Sequence, residues 1–394
     1  MRRALLAWEG GAGRGHVTTL RTVAEALGDR FVFDAALCRM EYAAELEASC
    51  EAVYPAAYLY YREEQRRLRG GAKAATWGEF LGDVGFRDEA FLKRQIAWWQ
   101  EVIRVRGISL VVGDFAPCAL MAARGLGVPA VAIGVGYSCP PPEMAEFPVF
   151  LPNHATLIYD EAETVAIVNR AATPLGVPEI DRLPAVYACD DQLARTLPML
   201  DPYDGRRTRE LLPPVADLPA RISAGHGDEI FVYFSTSERD SPALMEAVED
   251  LGAPTRMFMP GVSDELAARF TAKGVMLERA PVPVDEIARR TRLMLNASQH
   301  GILCLGLGAG LPQVSVPQHL EQLFHARRAE AAGALRVATR EERGDVGAFR
   351  AAVRAALDDE AMAARARTLA EELRPLLIRD ARALIRERIL AVTG

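Results

Sequence analysis

The chain's 394 residues allow two domains of ordinary size, each with its own core, and a composition half apolar and a quarter charged is that of a globular protein. A formal net charge of −7, with no basic stripe, excludes a general nucleic-acid binder, because affinity for a phosphate backbone comes from clustered Lys and Arg. No window approaches the ~18 uncharged apolar residues of a membrane span, and "MRRALLAWEGG" has too few apolar residues for a signal peptide, so no integral membrane contact and a cytoplasmic location are expected.

Short apolar runs alternate with helical patterns along the chain, the βαβ signature of a parallel sheet. "ALLAWEG" (4–10) reads as a first strand, after which Val17, Leu20, Ala24 and Leu27 recur at helical spacing. "FVFDAAL" (31–37), "LVVGDF" (110–115) and "PAVAIGVG" (129–136) supply further strands, and "QIAWWQ" (95–100) reads as a buried helix. A polar, proline-containing stretch from about Pro198 to Gly227 interrupts the series. "EIFVYFSTS" (229–237) starts a second one, continued by "TRMFMPG", "RLMLNAS" (292–298) and "LPQVSVP" (311–317). The end of the chain is charged and helix-prone, broken at Pro375. Six cysteines, widely spaced and without a CxxC pair, read as reduced thiols and not as a zinc site or disulfide framework.

Ligands of parallel α/β sheets bind outside the carboxyl ends of the strands. Residues just after strands therefore carry the chemistry: Gly10 to His16, Asp114, Ser235 to Ser237, and Gln299 to Gly301. "EGGAGRGHV" does not fit the dinucleotide fingerprint G-x-G-x-x-G, since His16 stands where the third glycine is required; Asp34 lies near the distance of a ribose-binding acid, but its neighbours suggest only an alternating strand. What the loop offers is a histidine at a helix start, a natural general base for a hydroxyl. Asp114 ends another strand, where a carboxylate has no packing reason to be. A bond from it to the far ring nitrogen would fix the tautomer and stabilise the imidazolium.

"GGAGRGHVTTLRTVAEAL", "SLVVGDFAPCALMAARGLGVPAVAIGVG", "FVYFSTS" and "QHGILCLGLGAGLPQVSVPQHLEQLFHARRAEAAG" together resemble, in order and over nearly the whole chain, the GT-B glycosyltransferases related to UDP-glycosyltransferases and bacterial macrolide glycosyltransferases. The resemblance implies an α/β fold of two Rossmann-like domains facing each other across a cleft: an acceptor-binding domain (1–214), a nucleotide-sugar-binding domain (215–375), and a C-terminal helix (376–394) crossing back to the first. It places the catalytic base on His16 and its supporting carboxylate on Asp114. Donor contacts would fall on Ser235, Thr236, Ser237, His300, Gly301, Glu321 and Gln322. Acceptor contacts would fall on Gly13, Tyr61, Trp77, Phe80 and Tyr137, the aromatic members suiting a flat or apolar molecule. Neither metal nor resident cofactor is implied; UDP-sugar or dTDP-sugar is a co-substrate, the acceptor a small molecule, and a homodimer is compatible.

The chain departs from that family at one point. His300 and Gly301 match the opening of its donor motif, Gly310 to Pro312 its turn, and Glu321 with Gln322 its acid–glutamine pair. Between them the stretch is a few positions short, the glycine-lined phosphate loop is gone, Cys304 falls where a ribose-binding acid often stands, and His325 replaces an asparagine. "GILCLGLGAG" reads instead as a buried helix whose Gly306 and Gly308 allow close packing, against a helix-propensity cost of about 1 kcal/mol each. Three activities stay open: an inverting glycosyltransferase acting on a small hydrophobic or aromatic acceptor, a homologue that binds ligand or partner without catalysis, and a nucleotide-sugar hydrolase or epimerase.

Overall fold

The computed structural model describes residues 1–11, 13–62, 74–150, 157–235 and 237–394. They form two compact units, one of Met1–Pro213 with Asp380–Gly394, the other of Pro214–Arg379.

In the first unit, strands β1 (Arg2–Trp8), β2 (Phe31–Leu37), β3 (Ala52–Pro55), β4 (Ile108–Asp114), β5 (Ala130–Gly134) and β6 (Asp191–Ala194) form one parallel sheet in the order β3-β2-β1-β4-β5-β6. Its central strands are buried along almost their whole length because both faces are covered, which is why they read as continuous apolar runs. The reversal of strand order beside β1 sets the end of β1 next to the end of β4, with Trp8 opposite Asp114. Helix α1 (Gly15–Leu27) follows β1, α2 (Glu89–Val105) precedes β4, and α3 (Pro117–Leu126) follows it. Trp99 of α2 is fully buried.

β2 is not the alternating strand its sequence suggests, since all but one of its residues are buried. Asp34 inside it is no ribose ligand: Arg3 Nη1 and Arg106 Nε each lie 2.7 Å from its carboxylate, pairing a buried charge that would otherwise be costly.

The second sheet, β12-β11-β10-β7-β8-β9, is also parallel and comprises β7 (Glu229–Tyr233), β8 (Thr255–Phe258), β9 (Met276–Glu278), β10 (Thr291–Asn296), β11 (Gln313–Ser315) and β12 (Leu335–Val337). One face buries Ile230, Val232, Leu293 and Leu295 against Phe349 and Val353; the other buries Phe231 and Met294 against Leu305 and Ala309. The principal helices here are α4 (His300–Ala309), α5 (Leu320–Ala331) and α6 (Glu360–Leu377).

α6 continues two residues past Pro375, so the proline does not make the break. The last helix, α7 (Ala381–Thr393), begins at Asp380, whose carboxylate caps it by accepting from Ala383 N at 3.0 Å. α7 packs in the first unit: Ile385 and Ile389 are fully buried in the core with Val17, Leu20 and Leu27, and Arg386 holds Asp29 through two hydrogen bonds. No helix among the described residues is long and apolar enough to cross a membrane.

Candidate active site

In the first unit the residues after β1 and β4 meet. His16 lies in the first turn of α1, and its Nδ1 is 2.9 Å from Oδ1 of Asp114, the last residue of β4. An ionised carboxylate only accepts, so Nδ1 carries the proton and Nε2 is the basic nitrogen. Trp8 stacks on the imidazole at a centroid distance of 5.0 Å and fixes its plane. Asp114 is 2% exposed, whereas the His16 side chain keeps 17% of its surface.

The glycines of the loop have specific reasons. Gly11 has φ +91°, and a Cβ there would stand 2.5 Å from His16 Nε2; Gly10 lies against the Phe115 ring, which a Cβ would meet at 2.6 Å. Gly134 underlies Asp114 in the same way, a Cβ there falling 2.9 Å from Oδ1. Gly13 is exposed, and its carbonyl accepts from His16 N at 3.4 Å. Phe115, immediately after Asp114, holds φ +46°, a left-handed conformation that is strained for a bulky side chain and is found where surrounding structure enforces it.

Phe115 also joins the aromatic residues. Trp77 lies 4.9 Å from Phe80, 5.0 Å from Phe115 and 5.2 Å from Tyr137, and Tyr61 meets Phe80 edge-on at 5.8 Å. Trp77 Nε1 donates to Tyr187 Oη at 2.9 Å. Trp77 and Tyr137 are buried by this packing; Phe80 is half-buried and Tyr61 is 54% exposed. The exposed part of this aromatic cluster is therefore Tyr61 and Phe80, while Trp77 and Tyr137 are buried in it. Sequence reasoning missed Phe115, whose apolar character looked like strand, and Glu9, which looked like the end of one.

In the second unit, Ser235 is half-buried and Ser237 exposed at the end of β7; Thr236 lies outside the described residues. Gln299, the residue before α4, donates from Nε2 to Ser235 Oγ at 3.2 Å and to the buried Glu238 carboxylate at 2.6 Å, tying this loop to the start of α4. His300 opens α4 and is 7% exposed; the His325 ring meets it edge-on at 5.2 Å. Burial, reinforced by His300 and His319, pushes His325 well below the usual histidine range, so it is neutral. Gly301 is half-buried beside the Val215 carbonyl. Glu321 and Gln322 lie in the first turn of α5; Glu321 is half-buried, and Gln322 is buried with its Oε1 accepting from Gln318 N at 2.8 Å, which closes its own loop.

The glycines of α4 are packing residues. A Cβ at Gly306 would stand 2.5 Å from the Gln313 amide, and one at Gly308 would stand 2.6 Å from Leu218 and 3.0 Å from Leu377 of α6. Gln313 in turn accepts from Asn296 Nδ2 at 2.8 Å, so helix and sheet are joined through a buried amide pair. Ahead of the helix, Ser298 turns the chain at φ +59° without a glycine. Among the described residues no cluster of three or more His, Cys, Asp or Glu side chains could hold a metal ion.

No family model and no curated protein matches this chain. Solved structures do. It is similar to the glycosyltransferase VinC in complex with dTDP (17% identity, 99% of each chain covered, TM-score 0.64). It is similar also to the spinosyn rhamnosyltransferase SpnG complexed with thymidine diphosphate (16% identity, 99% of this chain and 100% of that one, TM-score 0.67). A third is the glycosyltransferase SnogD from Streptomyces nogalater (17% identity, all of both chains, TM-score 0.60). Two parallel six-stranded Rossmann-like sheets and likeness over the full length to these enzymes give the chain the GT-B fold of the antibiotic glycosyltransferases.

Proposed function

We propose that this protein is an inverting, metal-independent glycosyltransferase that moves a sugar from a nucleoside-diphosphate donor to a hydroxyl of a small apolar or aromatic acceptor in the cytoplasm. The observation that carries the reading is the hydrogen bond between His16 Nδ1 and Asp114 Oδ1 at the ends of neighbouring strands. His16 Nε2 takes the proton of the acceptor hydroxyl as its oxygen attacks the anomeric carbon. The carbon–oxygen bond to the diphosphate breaks on the opposite side, and the configuration inverts. Asp114 stabilises the imidazolium so formed. Tyr61 and Phe80 suit a flat acceptor, while His300, Gly301, Glu321, Ser235 and Ser237 contact the donor, with Gln322 holding the loop before α5. The start of α4 contributes up to about 2 kcal/mol to holding the leaving group.

Thymidine diphosphate in VinC and SpnG makes dTDP-sugars, with UDP-sugars, the donors to test first. Purified protein incubated with such donors and a panel of aromatic and macrocyclic alcohols is expected to release nucleoside diphosphate only when acceptor is present. His16→Ala is expected to abolish release and to leave nucleotide affinity unchanged. Turnover retained by His16→Ala would remove His16 as the base.

A second reading, a binding protein that no longer transfers sugar, is favoured by one observation: Gly306 and Gly308 pack α4 and do not line a loop. Loss of one preorganised donor to a leaving group costs on the order of 3 kcal/mol in a transition state. Absence of binding by any nucleotide would favour that reading.

A further inference from the structure

Glu9 has no part in the reaction just described, yet it is a carboxyl group buried to 1% exposure beside the residues that do. Its Oε1 accepts from Ala119 N at 2.5 Å and its Oε2 from Cys118 N at 3.1 Å. These are N–H groups of the first turn of α3, which has no side-chain cap of its own: Ala116 occupies the cap position and Pro117 brings no N–H. The helix is thus capped from a loop more than a hundred residues away in sequence.

That loop and the one it reaches are the two that carry His16 and Asp114. Two further ties join the same pair of segments, and a third bond steadies the first of them. Glu9 N donates to Phe115 O at 3.2 Å, the Gly10 backbone is pressed against the Phe115 ring, and Trp8 Nε1 donates to Gly10 O at 2.5 Å to hold the first loop in its turn. The Glu9 carbonyl also accepts from Leu59 N at 2.8 Å, binding the segment of Tyr61 to the same point. A helix that needed only a cap would find one in a Ser or Asp at position 116, with no buried carboxyl group to desolvate.

We propose that Glu9 is a positioning residue for the His16–Asp114 pair: by bridging the loop after β1 to the backbone of α3 it sets the separation of imidazole and carboxylate. The inference rests on the transferase reading only for its consequence in catalysis; the geometric claim is independent of it.

The test therefore begins with a measurement that needs no turnover. In the full-length protein labelled with 15N in its histidines, the Nδ1 proton held by Asp114 gives a protected imidazole resonance, assigned by its disappearance in His16→Gln. Glu9→Gln keeps the volume but turns an amide N–H against one of the two backbone donors. It is expected to speed exchange of that proton at least about tenfold and to lower kcat on the order of 10²-fold, the effect of a small misplacement of a reacting group. Nucleotide affinity should stay at the wild-type value. Glu9→Ala combined with Ala116→Ser supplies a local cap, and is expected to recover thermal stability without recovering the protected proton. Recovery of both by the local cap, or a wild-type Nδ1 resonance in Glu9→Gln, would show that Glu9 only caps the helix and would overturn the proposal. A resonance that depends on Glu9 in a protein that turns over no donor would uphold this inference while removing the transferase reading.

Discussion

The backbone of Gly11 lies so close to His16 that a Cβ at position 11 would stand 2.5 Å from Nε2, the ring nitrogen turned away from Asp114. Gly11→Ala meets two obstacles at once, this contact and a φ of +91° that L side chains rarely adopt. Displacing the imidazole is expected to cost on the order of 10²-fold in turnover with nucleotide affinity unchanged. Steady-state kinetics beside a calorimetric nucleotide titration check this, and wild-type turnover would show that the ring tolerates the shift.

Asp114→Asn keeps the shape of the carboxylate but can present an N–H to the imidazole, favouring the wrong tautomer. A loss in kcat of about 10⁴-fold is the precedent for this change in a catalytic triad. The sign of the pH effect follows from charge: Asp114 stabilises the imidazolium, so its removal lowers the histidine pKa. The acid limb of kcat/KM against pH should accordingly move to lower pH in the residual activity.

Gly306→Ala tests the structural reading of "GILCLGLGAG". The new methyl group collides with the buried Gln313 amide that also holds Asn296. Overpacking of this kind costs about 1–3 kcal/mol. A clear fall in melting temperature is expected, and the folded fraction should still bind nucleotide normally. A variant of unchanged stability that lost nucleotide binding would instead make Gly306 part of the donor site.

Glu9 links stability to pH. Burial pushes its carboxyl up to about 8 from the ordinary 4.5, despite the two backbone bonds that favour ionisation. The folded state therefore binds this proton more tightly than the unfolded chain, so its contribution is complete below 4.5 and is lost as pH rises through about 8. Glu9→Gln cannot ionise. The stability of wild type minus that of Glu9→Gln, from urea melts at about pH 5 and about pH 9, is expected to fall across the interval. A difference independent of pH would mean that Glu9 does not titrate there.

Strands with a continuous apolar run were legible from sequence because burial on both faces leaves a local record. The runs around Leu110 and Leu293 fall on β4 and β10, whereas "FVFDAAL" was placed on β2 but misread as alternating because of Asp34. The short edge strands β3, β6, β9 and β12 were not legible, since runs of three or four residues are too short to carry a distinctive periodicity. His16 and Asp114 could be singled out for an equally local reason, one a histidine at a helix start and the other a carboxylate where a strand ends.

The sequence by itself determined the alternation of strand and helix, the two parallel series, and which residues sit at strand ends, because each depends on neighbours within a few positions. Only the tertiary structure decided what those residues touch. His16 reaches Asp114 because β1 and β4 are adjacent; Asp34 is paired by Arg3 and Arg106; Trp77 and Tyr137 pack beneath Phe80; and Glu9 caps a helix beyond its own loop. Contacts between residues so far apart are set by the order of strands and the crossovers between them, and the spacing along the chain carries no measure of that distance.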